Sequence, residues 1–219
     1  NDIGPFTEKM CVKCKGHGAT EGDEKLLRYL WTHKHATPFE MAGLVIEIQA
    51  PIFVFREWHR HRTQSIDEGL DELLDDGGMS FNELSARYTA LPDLYYIPSL
   101  ERLMSGRQAT TNKQGSEGGF SEEAALGIQE QLKKATSQAR AHYETLLMQG
   151  LSRELARLII PVNQYIRMRA SANLRNWLAF LTLRLPSNAQ WEIRQFAQSV
   201  GELVKALFPR TYSLFAEEK

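Results

Sequence analysis

The stretch "LVIEIQAPIFVFREWHRHR", Leu44–Arg62, decides the fold class. Its first part, "LVIEIQA" (44–50), alternates apolar and polar side chains, the period of a strand with one buried face. Pro51 ends that alternation. Proline has a fixed φ and no amide donor, so it suits the first turn of a helix. The spacing therefore predicts a strand followed at once by a helix over 51–62. Arg56 and Arg60 lie one turn apart on it, as do Glu57 and His61.

Outward from this stretch the signals are mostly helical. Upstream, "DEKLLRYLWTHKH" (23–35) sets Leu26, Leu27, Leu30 and Trp31 at helical spacing. In "TPFE" (37–40), Thr37 is expected to cap a short helix, with Pro38 at its first position and Glu40 completing a capping box. Residues 1–22 show no clear period. Downstream, "LYYIPS" (94–99) reads as extended, and the Gly-rich polar run 105–121 as a mobile loop. From Ser121 onward every segment reads as helix. "SEEAALGIQEQLKKATSQARAHYETLLMQ" starts at a Ser cap and stops at Gly150; "SRELARLII" is halted by Pro161. "SANLRNWLAFLTLRL" ends before Pro186, and "NAQWEIRQFAQSVGELVKALF" before Pro209. There is no internal repeat. The expectation is a single helix-rich α+β domain over 1–219, with a small antiparallel or mixed sheet.

Composition narrows the function. The chain has 219 residues, 26 Lys plus Arg against 27 Asp plus Glu, and a net charge of −1. A nucleic-acid binder of this size is usually distinctly basic, so neither nucleic acid nor membrane is expected as a partner. No apolar run approaches the ~18 residues of a membrane span, and the expected location is cytoplasmic. The only cysteines, Cys11 and Cys14 in "CVKCKGH", have His17 beside them but no fourth ligand, so free thiols are favoured over a metal site.

The sharpest local feature is Arg60-His61-Arg62. Successive helix positions project about 100° apart, so the three can converge on one anion only where the helix ends. Arginine offers bidentate contacts to phosphate and histidine a donor or stacking plane. A solvated surface cluster paired with nearby acids is the other reading. "SARY" adds Ser85, Arg87 and Tyr88. "NLRNWLAFLTLRL" adds Asn173, Arg175 and Arg184, the two arginines on opposite sides of one helix, with Leu178, Phe180, Leu181 and Leu185 as core. Arg157 in "ARLIIP" sits on an apolar stripe, where it either snorkels or meets an anion. No glycine-rich phosphate loop, G-x-S-x-G elbow or H-E-x-x-H motif is present. A phosphate site here must use side chains.

With Ile66–Ser80 set aside, "FREWHRHRTQS" joins "FNELSARYT", and the text resembles the signature of the flavin-dependent thymidylate synthases. "HKHATPFE" (33–40), "APIFVFREW" (50–58), "YIPS" (96–99), "ARLIIP" (156–161), "NLRNWLAFLTLRL" (173–185) and "AQWEIRQFA" (189–197) resemble family segments in the expected order. The resemblance implies a homotetramer with active sites between subunits, non-covalent FAD reduced by NADPH, methylenetetrahydrofolate as carbon donor, and dUMP converted to dTMP without an enzyme thiol. It implies a flavin site of His35, Thr37, Arg60, His61, Arg62, Glu83, Asn173 and Arg175. It implies a nucleotide site of Ser85 and Arg87, with Arg157 at the phosphate, Arg184 against the uracil edge, and Glu57 and Tyr88 as neighbours. Ser85, with no adjacent base, is expected to position substrate rather than attack it. Two residues depart from the pattern: Ala179 stands where a polar flavin contact is expected, and Glu57 where a glutamine is common. The block "IDEGLDELLDDGGMS" (66–80) carries six acids and interrupts the signature. It is expected to loop outward from ends that lie close together, because closure costs grow slowly with length. A lid or an intersubunit clamp is the alternative. An inert homologue and a nucleic-acid module built on Arg60-His61-Arg62 are the rival functions.

Overall fold

The computed structural model describes residues 21–61, 78–110, 115–116 and 118–218. Cys11, Cys14, His17, Arg62 and most of the acidic block lie outside the described residues, as does part of the 105–121 run.

The chain forms α1 (Glu21–Thr32), α2 (Thr37–Glu40), β1 (Gly43–Pro51), α3 (Ile52–Trp58), β2 (Ser80–Glu83), α4 (Leu100–Met104) and α5 (Glu122–Met148). There follow α6 (Arg153–Ala156), a 3-10 helix (Arg157–Ile159), β3 (Tyr165–Asn173), α7 (Leu174–Arg184), α8 (Trp191–Leu207) and α9 (Pro209–Glu217). The strands form a three-stranded sheet in the order β1-β3-β2. Ile46, Ile48 and Ala50 of β1 are buried while Glu47 and Gln49 are exposed, as the alternation of "LVIEIQA" dictates.

β3 corrects the helical reading of everything after Ser121. In "YIRMRASAN", Ile166, Met168, Ala170 and Ala172 are buried while Arg167 and Arg169 are exposed. That is a period of two, built partly from alanines whose small side chains make a weak hydrophobic signal. α7 accordingly starts at Leu174, with the Asn173 side chain accepting from Asn176 N at 2.9 Å. Thr37 makes no capping bond: α2 is preceded by Ala36, and Glu40 turns elsewhere. "SRELARLII" yields one α-helical turn and a 3-10 helix rather than a continuous helix.

Contacts group the chain into two compact units. The first comprises residues up to Ile46, His59–Phe81 and Ala170–Lys219. In it α7 buries Leu174, Trp177, Leu178, Phe180 and Leu181, and Trp177 Nε1 donates to Leu44 O at 2.9 Å. α8 lays down the stripe Ile193, Ala197, Val200, Gly201 and Val204, at the spacing of one helix face. The second comprises Glu47–Trp58 and Asn82–Arg169. Its long helix α5 is capped by Ser121, whose Oγ accepts from Ala124 N at 3.3 Å, with Glu122 and Glu123 in its first turn. It ends where Gly150 takes φ +86°, a left-handed conformation that glycine reaches at little cost. The fully buried Gln164 ties down the extended 92–96 segment. Its Nε2 lies 2.8 Å from Pro92 O and 2.9 Å from both Leu94 O and Tyr165 O.

Candidate active site

The first unit gathers His35, Thr37, Arg60, His61, Asn173, Arg175 and Arg184. The helix expected over 51–62 spans only Ile52–Trp58, so Arg60 and His61 lie beyond its end, where consecutive side chains are free of the 100° rule. Arg60 is exposed and has no ion pair among the described residues.

His61 is 3% exposed. Its ring meets Phe180 edge-on at 4.9 Å between centroids, and its Nε2 accepts from Arg184 Nε at 2.8 Å. Burial, and then the charge of Arg184, push the imidazole down to about 4. The ring is therefore neutral at physiological pH. On the other side of α7, Arg175 pairs with Glu40 of α2. Its Nε is buried and unpartnered among the described residues, a donor still to be satisfied. Thr37 and His35 are exposed, and the His35 ring stacks against Tyr29 at 6.0 Å.

The main chain also closes here: Met79 N donates to His61 O at 3.2 Å. The described residues on either side of 62–77 therefore meet at His61 and Met79.

The second unit holds Glu57, Glu83, Ser85, Arg87, Tyr88 and Arg157. Glu83, Ser85 and Arg157 line one cavity of about 280 Å³, walled by Ile52, Leu91, Ile160 and Ile166. Arg157 is exposed, lines the cavity and has no carboxylate partner among the described residues. Ser85 Oγ accepts from Arg87 N at 3.2 Å, which fixes the turn carrying both. The Arg87 side chain lies over the Tyr88 ring at 5.8 Å, with its Nε 3.6 Å from Glu154. Arg87, Tyr88 and Glu57 do not line that cavity. Tyr88 is 77% exposed, and its carbonyl accepts from Arg153 at 3.0 Å.

Sequence reasoning missed Glu40 and Glu154, each the partner of an arginine it singled out. An acid at the start or end of a short helix already has a local explanation, so neither carried a further signal. It also missed the apolar walls of the cavity. Among the described residues, no cluster of His, Cys, Asp or Glu is placed to hold a metal, and no helix is long and apolar enough to cross a membrane.

A cavity that pairs an arginine with a serine and apolar walls suits a small phosphorylated molecule. The structure resembles that of the UMP/dUMP methylase PolB from Streptomyces cacaoi bound with 5-Br dUMP, with a TM-score of 0.76 and 29% identity. The match covers 92% of this chain and 82% of that one. The family model described as thymidylate synthase complementing protein (Thy1) matches residues 6–210. The flavin-dependent thymidylate synthase of Thermus thermophilus is 38% identical over 203 residues, and that of Wolbachia pipientis wMel 36%. Each alignment takes in 93% of this chain, and 67% and 66% of those proteins respectively. The chain belongs to the flavin-dependent thymidylate synthase family.

Proposed function

We propose that the chain catalyses the reductive methylation of dUMP to dTMP, with methylenetetrahydrofolate as carbon donor and NADPH-reduced FAD as hydride source. The observation that carries this reading is the cavity shared by Ser85, Glu83 and Arg157 in a member of this family. Arg157 takes the nucleotide phosphate, because a guanidinium without a carboxylate partner among the described residues is open to an external anion. Ser85 orients the nucleotide. Arg87 and Tyr88 border it, with Glu57 as a neighbour. Arg184 faces the uracil edge, where a fixed cation stabilises charge on the ionising ring and makes the carbon to be alkylated more nucleophilic.

His35, Thr37, Arg60, His61, Arg62, Glu83, Asn173 and Arg175 hold the flavin. The donor set fits it: Arg60 has no ion pair among the described residues, and the Arg175 guanidinium retains an unsatisfied N–H. Bound there, the flavin supplies hydride transfer. The working form is a cytoplasmic homotetramer with active sites between subunits, and each chain acts as one functional domain.

The test is direct. Purified protein should show oxidised-flavin absorbance, alone or on adding FAD, and should form dTMP from dUMP, NADPH and methylenetetrahydrofolate. Flavin binding without dTMP would identify an inert homologue. Salt-sensitive oligonucleotide binding with no chromophore would identify a nucleic-acid module.

A further inference from the structure

We propose that His61 is a positioning residue, whose neutral imidazole fixes the guanidinium of Arg184 by accepting its Nε–H. This role rests on the reaction proposed above and goes beyond the flavin contact that the family signature suggests for His61.

The geometry is specific. The Nε–H of an arginine is a single donor in the guanidinium plane, separate from the two terminal nitrogens. Engaging it at 2.8 Å fixes the plane of the guanidinium. The acceptor nitrogen must keep its lone pair, so His61 carries its hydrogen on Nδ1.

Three features hold the ring in that role. Phe180 and Arg184 lie one turn apart on α7, so the wall and the donor come from the same helix face. The ring meets the edge of Phe180 at an interplanar angle of 68°. The backbone of His61 is fixed by the bond from Met79 N. At 3% exposure, the imidazole is enclosed by protein rather than presented to solvent. Its depressed basicity removes the competing state, in which two cations would face each other. A charge-assisted bond of this kind is about twice as strong as a neutral one. Serine or alanine in place of His61 would leave Arg184 to sample other rotamers.

The experiment uses the FAD-loaded enzyme and four variants: His61→Phe, His61→Gln, Arg184→Ala, and the double substitution His61→Phe/Arg184→Ala. Phenylalanine keeps a ring against Phe180 but accepts no hydrogen bond. Glutamine can place a carbonyl oxygen near the former Nε2. The expected result is a kcat for dTMP formation, per bound flavin, reduced roughly ten- to hundredfold in His61→Phe. His61→Gln should recover most of it, and the double variant should be no slower than Arg184→Ala alone. Losses that multiply in the double variant would overturn the proposal. So would a His61→Phe enzyme that sheds flavin yet turns over normally per bound flavin. A readout independent of turnover and of variant folding is the nitrogen spectrum of histidine-labelled wild-type protein. A neutral Nδ1–H tautomer at His61 is expected, and an Nε2–H tautomer would overturn the clamp. Absence of dTMP formation by the wild type would instead count against the reaction proposed above.

Discussion

Glu40, at the end of α2, grips Arg175, in the first turn of α7, and both side chains are about a quarter exposed. An arginine there faces the positive end of the helix dipole, and α7 has no acid of its own in its first turn. Glu40 offsets that charge from a neighbouring element. Glu40→Ala should lower unfolding stability by about 1–3 kcal/mol, because it leaves a part-buried cation uncompensated. Urea denaturation measures it. In Glu40→Ala/Arg175→Gln, which removes both charges, part of the loss should return; a double variant as unstable as the sum of the singles would refute the coupling.

Arg157→Ala should raise the Kd for dUMP by about tenfold to a hundredfold, since one charge-assisted phosphate contact contributes about 1.5–3 kcal/mol. Arg157→Lys should recover only part, because lysine keeps the charge but not the bidentate fork. Calorimetric titration decides it, and an unchanged Kd in Arg157→Ala would remove Arg157 from the nucleotide site.

Arg60→Ala should weaken FAD retention, as Arg60 is an exposed cation without an ion pair among the described residues. Its removal should leave thermal stability of the flavin-free protein within about 0.5 kcal/mol, the usual range for an isolated surface residue. Fluorescence titration of FAD, run beside a thermal melt, separates the two effects.

Gln164→Leu removes the donors that meet Pro92 O and Leu94 O while keeping the side-chain bulk. Orphaning buried carbonyls should cost about 2–4 kcal/mol. Leu91, next to this segment, is a wall of the Ser85–Arg157 cavity. The KM for dUMP should therefore rise as well. A melt with unchanged Tm would show that the segment is held by other means.

His61 sets a pH window. Its pKa falls from an ordinary 6.5 to about 4 in the folded chain, so the unfolded chain binds the extra proton between those values. The stability carried by the neutral ring is fully present above pH 6.5, falls as the pH drops toward 4, and levels off below that. The slope should approach about 1.4 kcal/mol per pH unit within the window. Denaturant titrations of wild type and His61→Gln across this range should show the wild-type advantage shrinking with acidity. A parallel pair of curves would contradict the depressed pKa.

Much of the architecture was legible where periodicity was strong. The strand at Leu44–Ala50, the Ser121 cap of α5 and the Gly150 stop follow from residues whose local preferences agree with their surroundings. β3 was lost because Ala170 and Ala172 fill its buried positions, and alanine is at least as welcome in a helix. β2, at four residues, is too short to show a period. In the site, the spacing predicts a helix through Arg62, whereas α3 ends at Trp58 and leaves Arg60 and His61 beyond it. The pairing of His61 with Arg184 was not legible. It joins residues far apart in sequence, and the reading of α7 placed Arg184 toward a ligand rather than toward another side chain.

The bond from Met79 to His61 works as a stitch at the base of the interrupted signature. Text of almost any length can be spliced in above such a stitch without disturbing the ring that faces Arg184. The position is thus a natural port for grafting a reporter peptide.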